Sequence, residues 1–266
     1  MALPPRAKKR LSQHFLVDHN IVRKIVSVAA LRREDAVLEI GPGRGILTRA
    51  LCEQAGQVLA IELDRSLDGT LSAALAGITN VEVRFGDALA FPYDTVPRGT
   101  VVVANLPYAI STPLLFKLFE AHDRIDRMVL MLQTEVARRL AAKPGTKDYG
   151  ILSILTQYRA VPSLAFHVSA SCFRPEPAVS STVVVLPVRR EPAVSVVDEP
   201  LFVRTVRAAF AHRRKTLPNS LRDEGFPLER IMPALEAAGI EPARRAESLG
   251  IEQFASLANV LARVSA

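Results

Sequence analysis

A run of four apolar residues, 101–104, three of them β-branched valines, leads directly into the tetrapeptide Asn-Leu-Pro-Tyr at 105–108. A run of this composition predicts a strand buried on both faces, and such strands occur in parallel sheets covered by helices. The next residues predict a helix with Ser111 or Thr112 as its N-cap and Pro113 in its first turn. We therefore expect the tetrapeptide at the carboxyl end of a central strand, where open α/β sheets bind ligands.

The chemistry that suits this turn is methylation of an exocyclic amine on a flat base. The N6 lone pair of adenine is delocalised into the ring, so two acceptors aimed at its N–H bonds would localise it for attack. The side-chain oxygen of Asn105 is one candidate, and a backbone carbonyl of Leu106 or Pro107 is the other, because proline lacks an N–H and fixes φ. Tyr108 offers a ring for stacking. The alternative is an ordinary turn with its tyrosine in the core.

Residues 36–51 predict a strand, a glycine-rich turn and a helix in succession. Gly41, Gly43 and Gly45 would let the backbone approach a ligand and aim a helix N-terminus at it. Their G-x-G-x-G spacing, with Ile46 next, does not match the fingerprint of dinucleotide-binding proteins. The pattern favours a nucleoside cofactor over a purely structural turn.

The next two predicted strands each lead to an acidic residue. Glu62 ends the strand after the glycine turn, and an acid at this offset from Gly41 accepts hydrogen bonds from ribose hydroxyls. Asp87 follows the third strand, where its carboxylate could accept from the amine of the cofactor's adenine. The alternatives are a solvated carboxylate for Glu62 and a turn-forming role for Asp87.

Two β-rich segments, 159–169 and 181–190, predict an antiparallel edge of the sheet, and the proline-rich residues 172–181 connect them. This connection is either a rigid hairpin link or a functional loop. In the second interpretation Phe173 lies over the face of the target base opposite Tyr108.

The alternation of strands and helices stops near residues 190–200, so we predict an α/β domain over 1–190 and a helical domain over 191–266. Three apolar stripes at helical spacing mark the second domain, and Gly239 marks a helix C-terminus. The stripes are Phe202, Val203, Val206, Ala209 and Phe210; Leu228, Ile231, Met232 and Leu235; and Phe254, Leu257, Ala258 and Leu261.

The chain has 34 Lys and Arg against 27 Asp and Glu, a net charge of +7 that favours a polyanionic partner. Residues 201–222 contain basic side chains and no acid. Within them we expect Arg213, Arg214 and Lys215 to contact RNA phosphates, with a solvated charged face as the alternative. The basic residues 6–10 predict a disordered tail.

Composition also bounds the class of protein. With 266 residues, 49% of them apolar, the chain can build one sizeable α/β domain and a smaller one. The two cysteines provide no disulfide framework and the five histidines show no metal-ligand spacing, so no metal site is predicted. The lack of an apolar run of membrane-spanning length or a signal peptide favours a cytoplasmic location, without membrane contact. No dimer seam is evident, which favours a monomer.

Ten segments, taken together, resemble the ribosomal RNA adenine N6,N6-dimethyltransferases, and most closely their bacterial small-subunit branch. They are QHFLVD (13–18), EIGPGRGILT (39–48), IELD (61–64), GDAL (86–89), NLPY (105–108), STPLLFKL (111–118), MLQTEVARRL (131–140), CFRPEPAV (172–179), AFAHRRKTLPNSL (209–221) and RAESLGIEQF (245–254). The resemblance implies a Rossmann-like class I methyltransferase sheet with a small all-helical C-terminal domain, and S-adenosylmethionine as cofactor. It further implies dimethylation of two adjacent adenines in the 3′-terminal hairpin loop of 16S rRNA, with the small ribosomal subunit as partner.

The resemblance also assigns roles to individual residues. The cofactor would be held by His14 and Leu16, by Gly41 and Gly43 of the glycine turn, by Glu62 at the ribose, by Asp87 at its adenine and by Asn105 beside the methyl group. The acceptor base would meet Asn105, the backbone of Leu106 and Pro107, and the rings of Tyr108 and Phe173.

Three other functions fit parts of this pattern. The first is methylation of large-subunit RNA by the antibiotic-resistance branch of the same superfamily, to which the segment 209–221 is less similar. The second is a nicotinamide oxidoreductase, which the glycine spacing and the lack of a Tyr-x-x-x-Lys set disfavour. The third is a non-catalytic RNA-binding assembly factor, against which the intact tetrapeptide at 105–108 argues.

Overall fold

The computed structural model describes residues 7–8, 11, 13–212 and 214–263. Their strands are β1 (Phe15–Leu16), β2 (Ala36–Ile40), β3 (Gln57–Glu62), β4 (Val81–Phe85), β5 (Thr100–Asn105), β6 (Ile125–Gln133), β7 (Ser163–Val168), β8 (Phe173–Arg174) and β9 (Ser181–Pro187). Their α-helices are α1 (His19–Ala29), α2 (Ile46–Cys52), α3 (Asp68–Ala74), α4 (Ser111–Glu120), α5 (Thr134–Leu140), α6 (Ile151–Arg159), α7 (Glu199–Phe210), α8 (Leu217–Asp223), α9 (Leu228–Ala237) and α10 (Ile251–Arg263).

Seven of the described strands form one mixed sheet in the order β4-β3-β2-β5-β6-β9-β7. The first five in this order are parallel, whereas β9 pairs antiparallel with both β6 and β7. The predicted parallel sheet with an antiparallel edge is thus confirmed. The chain winds outward from β2 through β3 to β4 and then returns to place β5 on the other side of β2. The winding reverses between β2 and β5, and ligands bind at the carboxyl ends of strands at such a point.

The centre of the sheet is buried, as the apolar run at 101–104 predicts. Each of these four residues is at most 2% exposed. Val101 and Val103 belong to one apolar cluster with Ile25 of α1 and Leu51 of α2. Full burial of a side chain of this size stabilises a fold by roughly 1.5–3 kcal/mol, so this layer holds the two central strands firmly in register.

A separate two-stranded ladder joins the N-terminal segment to the proline-rich connection. β1 pairs antiparallel with β8, with Phe15 opposite Arg174 and Leu16 opposite Phe173. The pairing buries the ring of Phe173 completely, within the same apolar cluster as Leu16.

The chain divides into two compact units. One comprises the described part of 1–137 together with 161–190, and the other comprises 138–160 together with the described part of 191–266. The first contains the sheet and the second is helical. The predicted division at residue 190 would place residues 138–160 with the sheet, whereas here they belong to the helical unit. None of the described helices combines the length and the apolar character needed to cross a membrane.

Hydrogen bonds explain why residues 138–160 group with the C-terminal helices. The buried hydroxyl of Tyr149 donates to the backbone carbonyl of Leu249 at 2.8 Å. The N–H of Gly145 donates to the carbonyl of Glu247, also at 2.8 Å. Both bonds join positions about a hundred residues apart, so local sequence patterns carry no sign of them.

Two local expectations were wrong. Helix α4 begins at Ser111 with Ile110 at the N-cap position, and the Ser111 hydroxyl donates to the carbonyl of Tyr108 instead of capping the helix. On α9 the stripe is rotated, because Leu228 and Met232 are exposed while Ile231 and Leu235 are buried. The predicted end of α9 is confirmed, since Gly239 follows it with a φ of 65°.

Replacing Tyr149 with phenylalanine should destabilise the helical unit. The change leaves the Leu249 carbonyl buried without its donor, and we expect the free energy of unfolding to fall by about 1–3 kcal/mol. Tyr158→Phe is the matched control, because its hydroxyl lies 3.4 Å from the partly exposed carboxylate of Glu199. Denaturant unfolding followed by circular dichroism measures both losses. Equal losses would contradict the importance given to the Tyr149 bond.

Candidate active site

A cleft opens at the carboxyl ends of β2, β3 and β5, within the sheet-containing unit. It consists of two adjoining pockets that share Gln13, Gly41, Glu62 and Pro107. The first pocket is also lined by His14, Leu16, Gly43, Asn105, Leu106 and Tyr108. The second extends to Asp87, Ala88 and Ile110. Every residue that was expected at the cofactor therefore lines this cleft.

The glycine turn forms one wall of the cleft, and at Gly43 it has no room for a side chain. Gly43 has a φ of +59°, and a Cβ built on it would lie 2.9 Å from Cδ1 of Phe15. The N–H of Gly41 donates to the carbonyl of Ile61 at 2.9 Å, which ties the turn to β3. The turn thus presents bare backbone to whatever occupies the first pocket.

Glu62 connects the glycine turn to the end of β3. Its side chain is 5% exposed, and its two oxygens accept from the N–H of Gly43 at 3.1 Å and of Asp64 at 2.8 Å. Burial raises the pKa of this carboxyl, and the two backbone donors oppose the rise. A carboxylate has about four lone-pair sites, so each oxygen can still accept from a ligand hydroxyl.

In the turn after β5, two acceptors receive no hydrogen bond from the described residues. Nδ2 of Asn105 donates to the backbone carbonyl of His14 at 3.2 Å, and its side-chain oxygen accepts no hydrogen bond from the described residues. The carbonyl of Pro107 accepts from the N–H of Ile110 at 3.1 Å, whereas no N–H of the described backbone donates to the carbonyl of Leu106. Of the two carbonyls considered from the sequence, the geometry therefore favours Leu106.

Tyr108 lines the first pocket and is held by contacts with two neighbours. Its hydroxyl hydrogen-bonds to Oγ of Ser181 at 2.7 Å, and burial raises the pKa of the phenol. The ring stacks on His14, with 5.6 Å between centroids and 28° between planes. His14 in turn donates from Nδ1 to the carbonyl of Pro175 at 2.8 Å.

Phe173 is the one expected contact of the target base that the structure does not bring to the cleft. Its side chain is fully buried in the apolar cluster that contains Leu16, and it does not line either pocket. Stacking on a base would require the β1–β8 ladder to open, so this role stays a prediction from the sequence.

One protein family accounts for this arrangement. The family described as ribosomal RNA adenine dimethylase matches residues 5–263. The chain belongs to this family. It is therefore an rRNA adenine methyltransferase, as the resemblance implied, and not a nicotinamide oxidoreductase.

Individual relatives agree with this placement. The chain is 47% identical over 265 residues to the ribosomal RNA small subunit methyltransferase A of Moorella thermoacetica, which covers 96% of this chain and 92% of the relative. It is 44% identical over 259 residues to the protein of that name from Geobacter sulfurreducens, covering 95% and 94%.

Solved structures have the same fold. A dimethyladenosine transferase from Plasmodium falciparum matches with a TM-score of 0.81 at 28% identity, over 92% of this chain and 96% of that one. The 23S rRNA methyltransferase ErmE matches with a TM-score of 0.71 at 29% identity, over 93% and 99%. The predicted class I methyltransferase sheet with a helical C-terminal region is confirmed.

In this adenine dimethylase a polar clamp, formed by Lys8, Gln13 and Asp64, holds the N-terminal edge of the cleft. Lys8 Nζ and Gln13 Nε2 donate to the two oxygens of Asp64 at 2.5 and 3.0 Å. Burial raises the pKa of Asp64, but the bonds from Lys8, Ser66 and Gln13 outweigh it and hold the pKa well below its usual range. The expectation of a disordered tail was wrong for Lys8. The other basic residues of that tail, Arg6, Lys9 and Arg10, lie outside the described residues.

Glu39 of β2 also lines the first pocket, and the sequence patterns had not singled it out. Its side chain is 1% exposed, and its Oε2 has no hydrogen-bond partner among the described residues. Burial, together with the nearby charge of Glu62, raises the pKa of Glu39 to about 8. The neighbouring Thr48 opposes this rise, although its hydroxyl makes no hydrogen bond of normal geometry with the described residues. The acids of the described chain form no cluster that could hold a metal ion.

The proposed RNA contacts lie in the helical unit. Arg214 and Lys215 are exposed, and Arg213 lies outside the described residues. Lys215 forms an ion pair with Asp223, and its hydrogen bond is the main reason that the pKa of Asp223 is lowered. His212 lies 3.2 Å from Glu224. The acidic partners Asp223 and Glu224 directly follow the basic stretch 201–222 in the sequence. The prediction considered only residues 201–222 and therefore did not include them.

Replacing Gly43 with alanine should destabilise the sheet-containing unit more than Gly77→Ala does. Both glycines have positive φ, but only Gly43 has a neighbour that a Cβ would overlap. A left-handed conformation costs about 1–2 kcal/mol in either variant, and the overlap with Phe15 should add about 1–3 kcal/mol. Equilibrium unfolding in urea gives the two losses. Equal values would show that Phe15 does not pack tightly on the turn.

Proposed function

We propose that the protein uses S-adenosylmethionine to dimethylate N6 of two adjacent adenines in the 3′-terminal hairpin loop of small-subunit rRNA. The observation that carries the proposal is the register of the two central strands. Ile40 of β2 lies opposite Ala104 of β5, so the glycine turn and the Asn-Leu-Pro-Tyr turn begin side by side. The two relatives described above, named as small-subunit methyltransferases, support the choice of substrate.

The cleft suits S-adenosylmethionine by the chemistry of its donors and acceptors. The bare backbone of Gly41 and Gly43 would lie along the amino-acid part, Glu62 would accept from the ribose hydroxyls, and Asp87 would accept from the adenine amine. Asp87 is exposed and uses Oδ1 for the N–H of Leu89 at 2.8 Å, which leaves its other oxygen for a ligand. The bound cofactor supplies a methyl group already activated on a positively charged sulfur.

The Asn-Leu-Pro-Tyr turn would prepare the acceptor nitrogen. The side-chain oxygen of Asn105 and the carbonyl of Leu106 would accept the two N–H bonds of N6, which draws its lone pair out of the ring. Tyr108 would stack on the base, and its bond to Ser181 keeps the ring in place. No general base is required, because the amine can lose its proton to water after transfer. The protein's contribution is positioning and acceptor placement.

The small subunit is favoured over the large one by sequence similarity. The chain is 47% identical to a small-subunit methyltransferase but 29% identical to the 23S rRNA methyltransferase ErmE. The fold is shared by both, so it does not discriminate between the two substrates.

The direct test is methyl transfer from labelled S-adenosylmethionine to small subunits that lack the modification, with large subunits as the parallel sample. Nucleoside analysis should find N6,N6-dimethyladenosine in the small-subunit RNA. Mapping by reverse transcription should locate it at two adjacent adenines near the 3′ end. Label confined to large-subunit RNA would overturn the substrate assignment.

Asn105→Ala should reduce methyl transfer by about a hundredfold or more, the scale for losing one positioned polar group in an active site. Single-turnover transfer to small subunits measures the effect. Asn80→Ala is the matched control, because Asn80 also donates from Nδ2 to backbone carbonyls but lies before β4, away from the cleft. The control should lose stability and keep its transfer rate per folded molecule. Normal transfer by folded Asn105→Ala would remove this residue from the mechanism.

The double change Arg214→Ala with Lys215→Ala should weaken binding to the small subunit. Each lost phosphate contact lowers the slope of log affinity against log salt by about 0.7–0.9. The matched control is Arg32→Ala with Arg33→Ala, an exposed pair just before β2, at the end of the strand opposite the cleft. Filter binding over a salt series compares the two. An unchanged slope in the first variant would identify the pair as a solvated face.

A further inference from the structure

A further pocket of the sheet-containing unit lies at the end of the sheet opposite the cleft. It opens where β5 and β6 begin and β9 ends, and its volume is about 440 Å³. We call it the arginine pocket, and its ionisable lining residues are Arg98, His122, Asp123, Asp126, Arg189 and Arg190. None of the residues discussed for the cofactor or the target base lines it. It is therefore a separate pocket, and the proposed reaction does not use it.

Both acids of the arginine pocket have cationic partners. The carboxylate of Asp123 lies 3.5 Å from the guanidinium groups of Arg98 and Arg124. An oxygen of Asp126 accepts a hydrogen bond from Arg127 at 2.9 Å. Because each acid is offset by an arginine, the two carboxylates do not exclude an anion from the pocket.

Arg189 and Arg190 lack such partners. Neither side chain forms an ion pair or a hydrogen bond with another of the described residues. Arg190 is exposed, whereas Arg189 is half-buried and its Nε is fully buried without an acceptor. A buried donor without an acceptor is costly, and more so on a charged group, so proteins rarely keep one unless a ligand or water completes it.

We propose that Arg189 and Arg190 bind a phosphate group in the arginine pocket. The guanidinium fork donates two parallel hydrogen bonds to such an oxyanion, and the charge-assisted bonds would include the buried Nε of Arg189. Phosphate is favoured over a carboxylate because the chain has a net charge of +7 and belongs to a family that acts on RNA. The group comes either from free phosphate in solution or from the RNA backbone, since both present the same oxygens.

The position of the pocket limits what this phosphate can do. β5 is six residues long, so roughly 20 Å separate its start, beside the pocket, from Asn105 at the cleft. A phosphate held here reaches neither the cofactor nor the acceptor nitrogen. Arg189 and Arg190 are therefore binding residues, and the inference goes beyond the proposed function.

The first test is thermal unfolding of the full-length protein in sodium phosphate and in sodium chloride of equal ionic strength. At several times the Kd, phosphate should raise the Tm of the wild-type protein by about 2–4 °C through mass action. The double variant Arg189→Gln with Arg190→Gln should lose most of this gain. Arg190→Gln alone, at an exposed position, should lose part of it and serves if the double variant does not fold.

The matched control is Arg32→Gln with Arg33→Gln. This pair is exposed at the same end of the sheet and does not line the arginine pocket. The control should keep the full gain in Tm. Comparing the variants removes the general stabilisation that phosphate gives to any folded protein.

The second test distinguishes the two sources of phosphate. Filter binding of the same proteins to small ribosomal subunits over a salt series gives the slope of log affinity against log salt. A slope lower by about 0.7–0.9 in the Arg189 and Arg190 variant, but not in the control, assigns the phosphate to RNA, whether or not free phosphate raises the Tm. A gain in Tm that the variant loses, with an unchanged slope, assigns the site to free phosphate.

Equal gains in Tm for all the proteins, together with an unchanged slope, would overturn the inference and reduce the phosphate effect to that of a general salt. The thermal test requires neither cofactor nor methyl transfer. A wild-type protein that fails to bind S-adenosylmethionine would therefore contradict the proposed function and leave this site to be judged by its own result.

Discussion

The pairing of β2 with β5 is the constraint on which the rest of this structure depends. The chain builds β2, β3 and β4 in one direction and then returns, so that two strands distant in sequence become neighbours. Their register sets Ile40 opposite Ala104, and each strand then leads into a specialised turn. Any change of this register would separate the glycine turn from Asn105 and leave two incomplete sites in place of one cleft.

Three buried acids near the ends of β2 and β3 differ in their hydrogen bonding. Asp64 is fully provided with donors by Lys8, Gln13 and Ser66, and it anchors the N-terminal segment over the cleft. Glu62 is bonded to backbone N–H groups and fixes the glycine turn to β3. One oxygen of Glu39 has no hydrogen-bond partner among the described residues, and burial raises the pKa of this carboxyl to about 8. The first two acids therefore stabilise the cleft, while the third is available to a ligand.

Prediction from the sequence succeeded where the signal was local. The apolar run before Asn105, the glycine turn and the acid that ends β3 each carry their own pattern, and their alternation with helices predicts a parallel sheet. It failed where the cause was distant. The Lys8–Asp64 bond spans 56 residues, so no local pattern of basic residues indicates it. The burial of Phe173 beside Leu16 has no local signal either, and the role of Phe173 at the base stays a prediction. Glu39 was not singled out, because a single acid in an apolar strand directly before a glycine turn carries no separate sequence signal of its own.

A crystal structure of the complex with S-adenosylhomocysteine tests the central claim most directly. We predict that its ribose hydroxyls lie within hydrogen-bond distance of Glu62 and its adenine amine near Asp87. Its amino-acid part should lie along Gly41 and Gly43, with the sulfur facing Asn105. A ligand whose ribose lies away from Glu62, or whose sulfur faces away from the turn after β5, would contradict the account.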